Sequence, residues 1–197
     1  MPITPEEART LVDQQKIAHK LLAGFYQNIL ASFDRLTKHL GYTFIRWWPT
    51  LTSRPCHTGT NPSSKWIWDF LPLYASTFVY NMQGEPTRAQ PGNCVLVFRL
   101  YCDDGFKQEY RQGYIDPVDM KSKEGSVDLM VYRCIKSSSK SCYDLYNACN
   151  WPTTVDVWEE VGHESMRAYL KRYFLEDFIT KEDDIKNELV QLITSRR

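Results

Sequence analysis

The chain has no excess of charge of either sign: Lys and Arg together number 24, as do Asp and Glu. General nucleic-acid binders carry a basic surplus to neutralise phosphates, and polyanion mimics carry an acidic one. The balance therefore argues against nucleic acid as the partner. Long apolar runs are missing too. Residues 94–98 form one of the longest, which is strand length and far too short to span a bilayer. Met1-Pro2-Ile3 leads straight into a charged segment, without the apolar stretch of a secretion signal. The expectation is a cytoplasmic protein with no membrane partner and with its six cysteines reduced.

Several chemical motifs are also absent. No Cys-x-x-Cys pair anchors a zinc site; Cys142 and Cys149 share a helical face, while Cys94, Cys102 and Cys134 sit in strand patterns, as small hydrophobes do. There is no Gly-x-x-x-x-Gly-Lys or Gly-x-Gly-x-x-Gly to cradle phosphate, and no Gly-x-Ser-x-Gly elbow. Neither a metal nor a cofactor is expected. What the chain has in quantity is aromatic residues: 14% of the total, with 6 Trp and 12 Tyr. Such residues supply both core burial and interface anchoring.

Thr4-Pro5-Glu6-Glu7 combines an N-cap, a proline suited to the first turn and a capping-box glutamate. Leu11, Ala18, Leu22, Phe25, Ile29, Phe33, Leu36 and Leu40 then recur at helical spacing, and Gly41 closes a single long helix. Residues 42–48, 65–70 and 75–82 read as strands separated by Pro-, Gly- and Ser-rich loops. Alternation over residues 94–102, followed by Asp103-Asp104-Gly105, predicts a hairpin with residues 106–115 as its returning strand. Val127, Leu129, Val131, Arg133 and Ile135 mark another strand, and residues 141–150 a short helix. Beyond Gly162, the spacing of Met166, Tyr169, Leu170, Tyr173, Phe174 and Phe178 predicts a helix, with a last one starting after Thr180. The fold class is α+β in one domain over residues 1–197. A mostly antiparallel sheet of about five to seven strands is packed by a long N-terminal helix and two C-terminal helices.

Two functional readings follow. In the first the protein is a non-catalytic cytoplasmic binding protein, an inhibitor or immunity protein being one instance, with another protein as its partner. Its anchors are the aromatic residues around the Thr-, Ser- and Pro-rich loop: Trp47, Trp48, Trp66, Trp68 and Tyr74. Adjacent residues of a strand face opposite ways, so Trp47 and Trp48 point to different faces, while Trp66 and Trp68 would share one. In the second it is a metal-dependent hydrolase or nuclease using carboxylates near the 103–116 hairpin, chiefly Asp104 and Glu109. A thiol variant of that reading pairs Cys56 with His163, since a nucleophilic sulfur needs a base from elsewhere in the fold. Asp-Asp-Gly also suits a turn for backbone reasons alone. No pattern in the chain specifies an oligomeric state.

Overall fold

A computed structural model describes residues 3–53, 58, 59, 61, 67–84, 86–105 and 123–194, with only the backbone described at 67 and 68. Helix α1 spans Pro5–His39. Its capping box is formed at both ends, with Thr4 Oγ1 accepting from the Glu7 amide and the Glu7 carboxylate accepting from the Thr4 amide. Gly41, at φ +78°, turns the chain into strand β1, Tyr42–Pro49. Then come β2 (Ala75–Met82), β3 (Cys94–Tyr101), β4 (Ser126–Cys134), helix α2 (Cys142–Asn147), β5 (Trp158–Glu160) and β6 (Met166–Phe174). Helices α3 (Leu175–Thr180) and α4 (Glu182–Thr194) complete the described elements. The strands form one antiparallel sheet in the order β1-β2-β3-β4-β6-β5. This is an α+β fold.

Both faces of the sheet are covered. On one, the C-terminal half of α1 lays Ile29, Phe33 and Leu36 against Phe78, Leu96, Phe98, Val127, Leu129 and Val131, joined by Phe178 of α3 and by Ile185 and Leu189 of α4. Phe33 stacks on Phe98 at 4.6 Å and meets Phe178 edge-on at 5.4 Å. The Tyr80 hydroxyl donates to Asp34 at 3.1 Å, pinning β2 to the same helix. On the other face, Val79, Val95, Val97, Met130, Tyr132, Ala168 and Leu170 pack under Leu145 and Tyr146 of α2. The N-terminal half of α1 has no such cover: every residue from 9 to 21 is exposed.

Three sequence expectations are corrected. Residues 67–70 form a 3-10 turn, not the end of a strand. Strand β3 does not pair with residues 106–115. Its two edges are held by β2 and β4, so the alternating residues 94–101 are a central strand buried on both sides. Residues 106–122 themselves lie outside the described residues. The helix expected over Met166, Tyr169, Leu170, Tyr173 and Phe174 is strand β6. Met166, Ala168 and Leu170 pack on the α2 side, while Tyr173 packs on the α1 side. Apolar residues on both faces of one strand imitate the spacing of a helix.

Removing the Phe33 ring leaves a cavity that Phe98, Phe78 and Phe178 cannot all close. Phe33→Ala is expected to cost about 3–5 kcal/mol, read as a lower denaturation midpoint in urea. At the α1–α4 contact, Arg35 donates twice to Glu182, at 2.8 Å from Nε and through a 2.6 Å ion pair. That bond holds the Glu182 carboxyl below its ordinary value. The stability it adds is present above the unfolded carboxylate value of about 4.3 and is lost as pH falls through the lowered folded one. Arg35→Gln is therefore expected to flatten the acid side of the melting-temperature profile and leave its slope near neutral pH unchanged.

Candidate functional site

The α2 face of the sheet changes character toward the ends of β1 and β3. One cross-strand row there reads Trp48, Thr77, Arg99, Asp128, Arg172, taken from five adjacent strands. The row beside it toward α2 is apolar from β2 to β6: Val79, Val97, Met130 and Leu170. Charge in the middle of a two-sided core has to be paired. Arg172 does this for the buried Asp128, donating from Nε at 2.6 Å and from a terminal nitrogen at 2.9 Å. Arg99 lies on the other side of Asp128 in the row, and its Nε is buried without a hydrogen-bond partner.

A bulge in β1 brings further residues to this face. Phe44 pairs with Tyr80, but the next pair is Arg46 with Val79, so Ile45 is the extra residue. A bulge re-aims the side chains that follow it. Here it puts Arg46 and Trp48 beside α2, while Phe44 and Trp47 face the α1 side against Tyr80 and Phe78. The Arg46 guanidinium lies 4.9 Å from the Trp48 ring centre and 5.4 Å from that of Tyr143, and donates to Asn147 Oδ1 at 2.6 Å.

The segment after α2 supplies the remaining part. The Asn150 amide donates to the Val161 carbonyl at 2.7 Å, and Tyr132 donates to the Asn150 carbonyl at 3.3 Å. Gly162, at φ +79°, passes so close to Asn150 that a Cβ there would meet the side-chain nitrogen Nδ2 at 2.6 Å. The Glu159 carboxylate accepts from the Thr153 and Thr154 amides, closing the turn. Held this way, the Trp151 ring sits 6.4 Å from Trp48, and Arg99 lies over it at 4.1 Å. The result is a ladder, Arg46–Trp48–Trp151–Arg99, whose first three members line a cleft of about 190 Å³ together with Tyr132, Tyr146 and Cys149. Burial pushes the Tyr146 hydroxyl up to about 12 and the Cys149 thiol up to about 11. Both stay neutral at physiological pH, so the charge of the ladder is that of its arginines.

The residues singled out from sequence are dispersed. Trp48 is in the ladder. Trp47, 37% exposed, stacks on Phe78 on the opposite face. Tyr74 packs with Leu51 and Leu71 around Ala75 and Tyr101, and burial pushes its hydroxyl up to about 12. Trp66, Cys56 and Glu109 lie outside the described residues, as does the side chain of Trp68. Asp103 Oδ1 accepts from the Gly105 and Lys123 amides at 2.7 and 2.8 Å, and Asp104 accepts from the Ser126 hydroxyl at 2.8 Å. Both clasp the start of β4 to the end of β3. His163 lies apart, in a cleft of about 430 Å³ with Lys136, Glu160, Glu164 and Arg167, its Nδ1 accepting from the Ser165 amide at 3.2 Å. Among the described residues, no three His, Cys, Asp or Glu side chains converge as metal ligands. Arg46, Arg99 and Trp151 were not singled out. Their available signal was a charge inside an otherwise apolar strand, visible at Arg99 and again at Asp128.

These features define an α+β protein whose most distinctive described surface is an arginine–tryptophan ladder beside α2, on a sheet whose central strands are covered on both faces. A family model described as PM0109 matches residues 6–195, so the chain belongs to the PM0109 family. No curated protein and no solved structure matches it. Among the described residues, no helix is long and apolar enough to cross a membrane.

With its thiol pushed up to about 11, Cys149 should carry on the order of 100-fold less thiolate than a free cysteine near neutral pH. Iodoacetamide labelling followed by peptide mapping is expected to find Cys149 almost unmodified in the native protein and readily modified in urea.

Proposed function

We propose that the protein is a non-catalytic cytoplasmic binding protein that captures an acidic segment of another protein on the Arg46–Trp48–Trp151–Arg99 ladder. The observation that carries this reading is the alternation of two arginines with two tryptophans on a rigid support. Trp, Tyr and Arg are the residue types that dominate binding energy at protein interfaces. Exposed rings next to guanidinium groups suit a partner that brings carboxylates and an apolar or aromatic side chain together. Trp151 is 41% exposed and Arg46 stands exposed beside Trp48, so the ladder has both an aromatic surface and a charged group to offer. The neutral balance of the whole chain fits recognition by a local pair of charges better than by a broad field. Inhibitor- or immunity-type capture is one form such binding takes. The hydrolase reading draws no support from Asp104, whose carboxylate is engaged with Ser126.

The test is an array of Asp- and Glu-rich peptides with and without an aromatic residue, followed by titration of the tightest binder at low salt. Trp151→Ala is expected to weaken binding at least tenfold, in line with about 2 kcal/mol for an interface anchor, and, because the ring also covers Arg99, to lower the melting temperature modestly while leaving the protein folded. Arg99→Lys, which keeps the charge but loses the planar fork, is expected to weaken binding as well. Equal binding by wild type and Trp151→Ala, or no preference for acidic peptides, would sink the proposal.

A further inference from the structure

At about 430 Å³ the cleft that holds His163 falls within the range of small-molecule sites, whereas the 190 Å³ cleft beside the ladder falls below it. Its walls come from three strand ends. Ile135 and Lys136 follow β4, Glu160 closes β5, and Met166 and Arg167 open β6, with the turn through Gly162, His163 and Glu164 between. The backbone fixes this turn on both sides. The Ile135 amide donates to the Ser165 carbonyl at 2.8 Å, and the Met166 amide to the His163 carbonyl at 2.9 Å. Gly162 rests against the Asn150 side chain. A site held this way is formed before a ligand arrives, so less ordering opposes binding.

Charge in the cleft is balanced. Lys136 and Arg167 supply two cations, Glu160 and Glu164 two carboxylates. The carboxylates do not suit a metal ion, since Glu160, His163 and Glu164 do not converge as ligands. A simple anion or cation would satisfy one pair of groups and be repelled by the other. A ligand carrying both signs satisfies all four. The pairs these groups form with each other are long, 3.5 Å for Lys136 with Glu164 and 4.0 Å for Arg167 with Glu160, and largely exposed. Exposed pairs of that kind hold together weakly, so a zwitterion can exchange partners with them at little cost. His163 adds a donor: its Nδ1 accepts from the Ser165 amide, which leaves the proton of the neutral ring on Nε2. Ile135, 36% exposed, and the buried Met166 give the cleft an apolar side.

We infer that this cleft binds a free amino acid with an apolar side chain. Lys136 and Arg167 take its carboxylate, Glu160 and Glu164 its ammonium group, and Ile135 and Met166 its side chain. The cleft shares no lining residue with the one beside the ladder, so the two readings stand or fall separately.

Calorimetric titration of the full chain with L-leucine, L-methionine, glycine and L-glutamate, and with two truncated probes, tests the assignment. Leucinamide lacks the carboxylate, and 4-methylpentanoate lacks the amine. Leucine or methionine is expected to bind, and each truncated probe to bind at least about tenfold more weakly, the effect of losing one charged partner. Glu160→Gln with Glu164→Gln is expected to close the gap between leucine and 4-methylpentanoate. Lys136→Gln with Arg167→Gln is expected to close the gap between leucine and leucinamide. All four side chains are exposed, so the melting temperature without ligand serves as the folding control. No binding of leucine or methionine at millimolar concentration, equal affinity for the truncated probes, or unaltered selectivity in either double variant overturns the inference. Glycine or glutamate binding as tightly as leucine and methionine overturns the apolar side-chain assignment.

Discussion

Phe33 against Phe98 is the contact around which the molecule is assembled. The ring of a helix residue lies on a ring at the centre of β3, and Phe78, Tyr80 and Phe178 gather round the pair from β2 and α3. Because β3 is central, its other face is covered as well, by the layer that includes α2. A strand enclosed on both sides tolerates little slip, since a shift of one residue exchanges its faces. The positions of Arg99 and of every residue in its row follow from that constraint.

The row has an energetic cost that the surrounding core absorbs. A carboxylate buried as deeply as that of Asp128 is stable only with good geometry, and the two bonds from Arg172 supply it. Arg99 is compensated by the face of Trp151 and by a hydrogen bond to the Tyr101 side chain. A guanidinium held against a ring is already partly desolvated and oriented. Less ordering is then left to a partner that binds it.

Much of the fold was legible in the residues, because local chemistry and tertiary packing agree there. Thr4-Pro5-Glu6-Glu7 starts α1, Gly41 follows its end, and β2 occupies 75–82 as its composition predicts. Disagreement arises where a strand is apolar on both faces. Strand β6 carries Met166, Ala168 and Leu170 on one side and Tyr169 and Tyr173 on the other, so its periodicity cannot separate strand from helix. The partner of β3 was misjudged for a related reason. A turn sequence at Asp103-Asp104-Gly105 suggests a hairpin, whereas the actual pairing partner begins at Ser126, more than twenty residues on. The ladder joins four residues from β1, β3 and the segment after α2, distant in sequence and adjacent only once the sheet has formed. Trp48 alone was visible beforehand, as an aromatic residue in a strand; Trp151 reads locally as no more than the end of a short helix.

The extra residue in β1 makes this surface depend on how the strand pairs as well as on which residues it carries. Arg46 and Trp48 stand on the α2 side because Ile45 is left unpaired between Phe44 and Arg46. Without Ile45 the strand would pair regularly, Phe44 with Tyr80 and Arg46 with Val79, and both side chains would stay where they are. With Ile45 drawn into the strand pairing instead, every later residue of the strand would change sides, and Arg46 and Trp48 would turn to the α1 layer. A slip of one residue in pairing can therefore take the ladder apart without altering a single side chain.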